Sequence, residues 1–333
     1  MSLSRPALIV HNCVTSVFNH RFATFLHRSL ANFPKMSENV EKLIQHLAPP
    51  LTSDKHKGQA GRIGVFGGSL EYTGAPYFAA ITSLKVGADL SYVFCAKEAA
   101  TVIKSYSPEL IVHPLLDVPG AAAKIEPWLD RLHVVLVGPG LGREEETFKV
   151  MDQVLSLCRS RRKPLVIDAD GLYYVSLNPD VLRDYPSPVI LTPNVMEFAR
   201  LIGSNGEGNK KEQSQKFLAL AENITILCKD HVDEIFNKTS HVSVAGGGSG
   251  RRCGGQGDLL SGAVTAFLAW ALEEPTRLSG CPPHDRPVIA SYAACKLARL
   301  CNQRAFAKFG RSMTSTDMIK EIHEAFEEIF EGK

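Results

Sequence analysis

Residues 245–262 read AGGGSGRRCGGQGDLLSG, and they run without interruption into the apolar continuation AVTAFLAWAL. Eight of these eighteen residues are glycine. Crowded glycines let backbone N–H groups converge on an anion, and a helix that begins at such a loop adds the positive end of its dipole. The stretch therefore predicts a loop feeding a helix, with the amides of Gly255, Gln256 and Gly257 forming an anion hole for a transferring phosphoryl group. Asp258 is the only carboxylate in the stretch. It is the candidate base that takes a proton from an attacking hydroxyl. An aspartate at this point can also simply cap the helix, and the two roles are compatible.

Working outward, short β-branched runs alternate with longer helix-like stretches from residue 61 onward, which is the pattern of an α/β fold with a largely parallel sheet. The strand candidates are GRIGVFGG, ADLSYVFCA, HVVLVGPG, PLVIDADG, VILTPN, ITILCK and HVSVAGG, and Pro76 to Gly87 has helical spacing with proline in its first turn. Ligands of open α/β sheets sit beyond the carboxyl ends of the strands, so the loops there are where chemistry is expected. The polar run from Ser204 to Gln213 reads as a mobile surface loop, and the Pro- and Gly-rich break from Glu273 to Pro287 reads as a surface joint between two helices. Neither resembles a linker, so residues 37–333 are expected to form one domain.

Gly-Gly-Gln-Gly-Asp followed by a helix of small residues resembles the Gly-x-Gly-Asp signature of the ribokinase-like kinases. In TPNVMEF, Asn194 and Glu197 match that superfamily's Asn-x-x-Glu pattern, which the resemblance places near magnesium and the phosphates. GRIGVFGGSLEYTGAPYFAA, VGPGLGR at Val137 to Arg143 and VIDADGLY narrow the resemblance, over roughly residues 50–330, to the NAD(P)H-hydrate dehydratases. The implied fold is a three-layer α/β/α sandwich. The implied substrate-binding residues are Gly138, Gly140 and Gly142, the stretch Asn194-Val195-Met196-Glu197-Phe198-Ala199-Arg200, and Asp258. The resemblance assigns ATP to Lys229-Asp230-His231-Val232-Asp233 and to Gly248-Ser249-Gly250-Arg251-Arg252-Cys253-Gly254-Gly255-Gln256-Gly257. Asp230 departs from the family, which has glycine there. Aspartate tolerates a left-handed backbone better than most residues, but its carboxylate would oppose a triphosphate if it pointed inward. Arg251 and Arg252 would offset that by contacting phosphate, unless they form only a solvated loop tip.

Other readings of the glycine turns fail. The glycines at 138, 140 and 142 are followed by Arg143, so the dinucleotide fingerprint is broken, and no Gly-Lys-Ser/Thr occurs for a Walker loop. A chain of 333 residues, 44% hydrophobic and 22% charged, has globular proportions. Its formal charge of +2 gives no basic field suited to nucleic acid. No stretch supplies about 18 uninterrupted apolar residues for a membrane span. Residues 1–37 contain no Asp or Glu but carry Arg5, Arg21, Arg28 and Lys35, the composition of a mitochondrial presequence. Residues 1–36 are read as that presequence, giving a matrix protein, with Met36 as an internal start for a cytosolic form. The eight cysteines have no zinc or Cys-x-x-Cys spacing and read as reduced thiols, mostly core filler.

The chemistry implied is transfer of the ATP γ-phosphoryl to the hydroxyl of a water-damaged NADH or NADPH, with magnesium as co-reactant, and release of phosphate. A kinase of a vitamin precursor or sugar, and a non-catalytic nucleotide or NAD(P) sensor, are the alternatives. The oligomeric state, a homo-oligomer included, is left open by the sequence.

Overall fold

Apolar runs without polar alternation suit strands covered on both faces, and that is how they are built. In the computed structural model, which describes residues 34–203, 208–274 and 276–332, the strands β4 (Val134–Val137), β5 (Leu165–Ile167), β6 (Val189–Leu191) and β7 (Ile224–Cys228) are buried at every position. With β1 (Arg62–Phe66), β2 (Leu90–Cys95), β3 (Ile111–Pro114), β8 (Asp233–Phe236) and β9 (His241–Val244) they form a nine-stranded sheet in the order β3-β2-β1-β4-β5-β6-β7-β8-β9. All pairings from β3 across to β7 are parallel, and β8 and β9 close the far edge antiparallel.

Helices cover both faces. On one, Gln256–Glu273 lies over β1, β4 and β5 and packs against the helices Gly74–Val86 and Arg286–Phe309. Its residues from Leu259 to Ala271 are all buried, which explains why the glycine-loop helix has no polar face. On the other, the helices Ala121–Leu129, Glu145–Ser160, Ala169–Leu177 and Val195–Ile202 bury Ile125, Met151, Leu155, Leu172 and Phe198 against Phe66, Phe94 and the inner strands. This is the three-layer α/β/α arrangement.

The chain divides into two compact units, residues 1–41 and 42–333. Everything above belongs to the second. Of the first, only residues 34–41 are described, in the helix Pro34–Ile44, and most of the presequence reading falls outside the described residues.

Two strands were not expected. β3 is four residues long and ends in His-Pro, and β8 opens with Asp233-Glu234, so neither shows a strand pattern in sequence. The mobile-loop reading of 204–213 also needs correcting. Residues 204–207 lie outside the described residues, but Lys210–Gln213 form a helical turn that Asn209 caps through the Glu212 amide. Of the cysteines, the seven described are free thiols, and all but the half-buried Cys253 are buried.

Candidate functional site

The ends of β4, β5, β6 and β7 lead directly to Gly138, Asp168, Asn194 and Lys229. The sequence order reverses between β1 and β4, the switch point where an open sheet leaves a crevice. Lys229 is anchored by its own amide, which donates to the Pro193 carbonyl at 2.8 Å. Its ammonium donates to Asp168 Oδ1 at 2.7 Å and lies 3.9 Å from Glu197 Oε2. The side chain of Asp168 is only 2% exposed, so this is a charge pair withdrawn from water.

Asp258 completes the group from the other side of the crevice, in the first turn of the helix Gln256–Glu273. The N-cap is Gly255, with no side-chain cap, so capping does not account for Asp258. Burial pushes the Asp258 carboxyl up to about 7, the charge of Asp168 adds to the rise, and the Lys229 ammonium opposes it. Burial alone would lower Lys229, but the carboxylates of Asp168 and Glu197 more than offset it and hold the ammonium above its ordinary value. A general base poised near neutrality is what proton transfer from a hydroxyl requires.

The sign of each neighbour's effect is testable. The acid limb of kcat/KM is expected near pH 7, because below it Asp258 holds a proton and cannot accept another. Asp168→Asn removes a negative charge that raises Asp258 and moves the limb to lower pH. Lys229→Met removes the opposing positive charge and moves it to higher pH. Limbs shifting together, or not at all, would refute the coupling.

The helix opening at Gln256 leaves the amides of its first turn without partners inside the helix, facing the crevice end. Gly255 can turn there because its backbone is left-handed, at φ 90°, and a Cβ would meet the Phe78 ring at 2.6 Å. The loop is braced from behind, where the Ser315 hydroxyl donates to the Gly254 carbonyl at 2.6 Å and the Gln256 side-chain amide donates to the Arg251 carbonyl at 3.2 Å and to Cys253 Sγ. Arg251 and Arg252 are neither free tips nor aimed outward as a pair. Arg251 Nε donates to the Met313 carbonyl and its Nη1 to the Arg252 carbonyl, while Arg252 Nη1 donates to the Ser249 carbonyl at 2.6 Å. They staple the loop.

Asp230 does not take a left-handed backbone; among the described residues the non-glycine ones with positive φ are Arg162, Ala169 and Asp184. Its carboxylate accepts from the His231 amide at 2.7 Å and from Lys210 at 3.1 Å, which hold it below the usual carboxylate range. The turn from Lys229 to Asp233 is fixed by Asp233, whose Oδ1 accepts from the Asp230 amide at 3.0 Å. Arg299 Nε donates to Asp233 Oδ2 at 2.7 Å, and its other nitrogens reach the carbonyls of Asp230, His231 and Gly246. Arg299 thus ties this turn to the start of the glycine loop, and its position mid-helix gives no sign of that in sequence.

The stretch Asn194–Arg200 is not one surface. Asn194 Oδ1 accepts from the Glu197 amide at 2.9 Å, and Glu197 Oε2 accepts from the Asn194 amide at 2.8 Å, a reciprocal helix cap. Val195, Met196 and Arg200 are exposed, but Phe198 is fully buried in the core, so its side chain is removed from the substrate-binding assignment. The turn at Gly138, Gly140 and Gly142 packs against the β5 end, and the Gly142 amide donates to Asp170 Oδ2 at 3.1 Å. Asp168 carries the central ion pair, yet sequence reading singled it out for no role. The signal was present in VIDADG, an acid placed directly after a buried strand.

A largely parallel sheet with a braced glycine loop and a half-buried acid at its mouth is the arrangement of the ribokinase-like class. A ribokinase-like superfamily protein from Enterococcus faecalis has the same fold, with a TM-score of 0.73 at 23% identity over 87% of this chain and 95% of that one. The sequence profile of the NAD(P)H-hydrate dehydratase family matches residues 63–324, and this chain belongs to that family. The ATP-dependent (S)-NAD(P)H-hydrate dehydratase of Aedes aegypti is 48% identical over 99% of this chain and 97% of its own length. The ADP/ATP-dependent NAD(P)H-hydrate dehydratase of Bacillus subtilis, co-crystallised with ATP/Mg2+, gives a TM-score of 0.66 at 21% identity, covering 87% of this chain and 97% of that one.

Proposed function

We propose that this chain is an ATP-dependent dehydratase that restores NADH and NADPH from their (S)-hydrates, releasing ADP and phosphate. The observation that carries the reading is Asp258, half-buried in the first turn after the glycine loop and within electrostatic reach of the Lys229–Asp168 pair. Asp258 takes the proton of the ring hydroxyl as its oxygen attacks the γ-phosphorus and ADP departs. The amides of the helix opening at Gln256 receive the charge that develops on the transferring group. Phosphate then leaves with the C–O bonding pair, and loss of a proton from the neighbouring carbon restores the ring double bond. Hydroxide is the poorer leaving group, which is why a kinase fold suits a net dehydration.

The residues fit a magnesium ion accompanying ATP in an indirect way. Glu197 commits Oε2 to the helix cap and to Lys229, leaving Oε1 for the metal or its water, whereas Asn194 has committed its only side-chain oxygen. Asn194 therefore acts first by positioning Glu197. Bound there, the ion would neutralise charge on the phosphate oxygens.

The test incubates residues 37–333 with hydrated NADH, ATP and magnesium and follows absorbance at about 340 nm together with free phosphate, both expected to rise in step. A stable phosphoester without recovered absorbance would instead establish a metabolite kinase. We also place the full chain in the mitochondrial matrix through residues 1–36. A reporter fused to that segment should enter mitochondria, and cytosolic retention would refute the placement.

A further inference from the structure

An open cleft of about 290 Å³ lies at the opposite end of the sheet from the crevice, where β4 and β5 begin. One wall is apolar, presented mainly by the half-buried Leu272 over the buried Leu132, Val134 and Ala269. The other carries His133, Arg161, Arg162 and Lys163. Of these, only Arg161 is matched by carboxylates, Glu126 at 2.6 Å and Asp130 at 2.9 Å. The Lys163 ammonium donates to the Leu132 carbonyl at 2.8 Å and has no ion pair among the described residues. Arg162 is exposed, has no ion pair among the described residues, and is held in left-handed backbone at φ 51°. Behind them, Arg62 Nη2 is 3.0 Å from His133 Nε2. Arginine can only donate, so that ring nitrogen accepts and His133 is neutral, while the buried Arg62 Nε has no partner.

Nearby acids do not pair with Arg162 or Lys163, although Asp130 also acts on the Lys163 ammonium from a distance. Asp89 spends Oδ2 on the amides of Gly58 and Ala60. Glu273, which lines the cleft, leans toward Arg277 at 3.7 Å. The helix Gln256–Glu273 ends here with its negative pole, but Arg277 Nη2 donates to the Trp270 carbonyl at 2.9 Å and offsets it.

We infer that this cleft is a second binding site, for a small organic phosphate of nucleoside-monophosphate size. Unpaired guanidinium and ammonium donors suit a phosphate, the apolar wall accepts a flat ring, and the volume sits at the small end of ligand sites. It is separate from the dehydration site, because β4 and β5 run from the cleft to Gly138 and Asp168 at their far ends.

AMP is the probe, in equilibrium dialysis against the full chain with the ATP site saturated by a non-hydrolysable ATP analogue. One AMP per chain is expected to remain bound. Arg162→Asn, which tolerates the left-handed backbone, should weaken AMP at least fivefold and leave dehydration turnover unchanged. AMP binding that disappears when the ATP site is filled, or that Arg162→Asn does not weaken, overturns the site. Inorganic phosphate binding as tightly as AMP overturns the organic part of the assignment.

Discussion

Asp258→Asn is expected to cost about 10² to 10⁴ in turnover, the range for loss of a general base, while making the folded protein more stable at neutral pH. The two effects have one cause. Burial raises the carboxyl from 3.8 to about 7, so the folded state holds this proton more tightly than the unfolded chain does. Folding is penalised once pH exceeds the unfolded value. The penalty grows as pH rises toward 7 and is complete above it, on the order of 4 kcal/mol at about 1.4 kcal/mol per unit. Asparagine carries no charge and avoids it. Thermal unfolding should show the variant ahead of the native protein at pH 8, with the gap closing below pH 4. A variant less stable than the native chain at pH 8 would mean that the carboxylate is well compensated where it sits. Near-native turnover would remove Asp258 from the chemistry.

Gly138→Ala is expected to damage both fold and activity. The residue follows β4 with φ 122°, and a Cβ would lie 1.8 Å from the Asp168 carbonyl oxygen and 2.5 Å from the Gly171 amide nitrogen. Both obstacles are backbone, so no rotamer change relieves them. Asp168 itself is followed by Ala169 at φ 48°, already in the left-handed region, which leaves the β5 end little room to yield. A cost of about 4 kcal/mol or more follows, a fall of roughly 6 °C in Tm for a chain of this size. Because the displaced residue holds Lys229, turnover should fall in whatever protein remains folded. Gly120→Ala is the control, since Gly120 also has positive φ, 68°, but nothing within 4 Å of its Cβ position. Equal losses in the two variants would show that backbone angle alone matters at Gly138.

The amino-acid sequence by itself determined the α/β alternation with its largely parallel sheet, the loop-helix unit at 245–273 and the candidate for the base. These rest on local regularities: uninterrupted apolar runs, glycine density, and one acid at a helix start. Seven of the nine strands carried such a pattern; β3 and β8 did not, because they are short and hold His, Asp or Glu. Tertiary structure decided what depends on distance between remote segments. It brought Asp168 to within 2.7 Å of Lys229 across 61 positions, aimed Asp230 at Lys210, and used Arg299 to join two loops. It also divided the Asn194–Arg200 stretch, turning Phe198 into the core and committing Asn194 to a helix cap. Periodicity reports which side of an element is apolar, whereas the charge felt by Asp258 depends on which groups the packed strands place beside it.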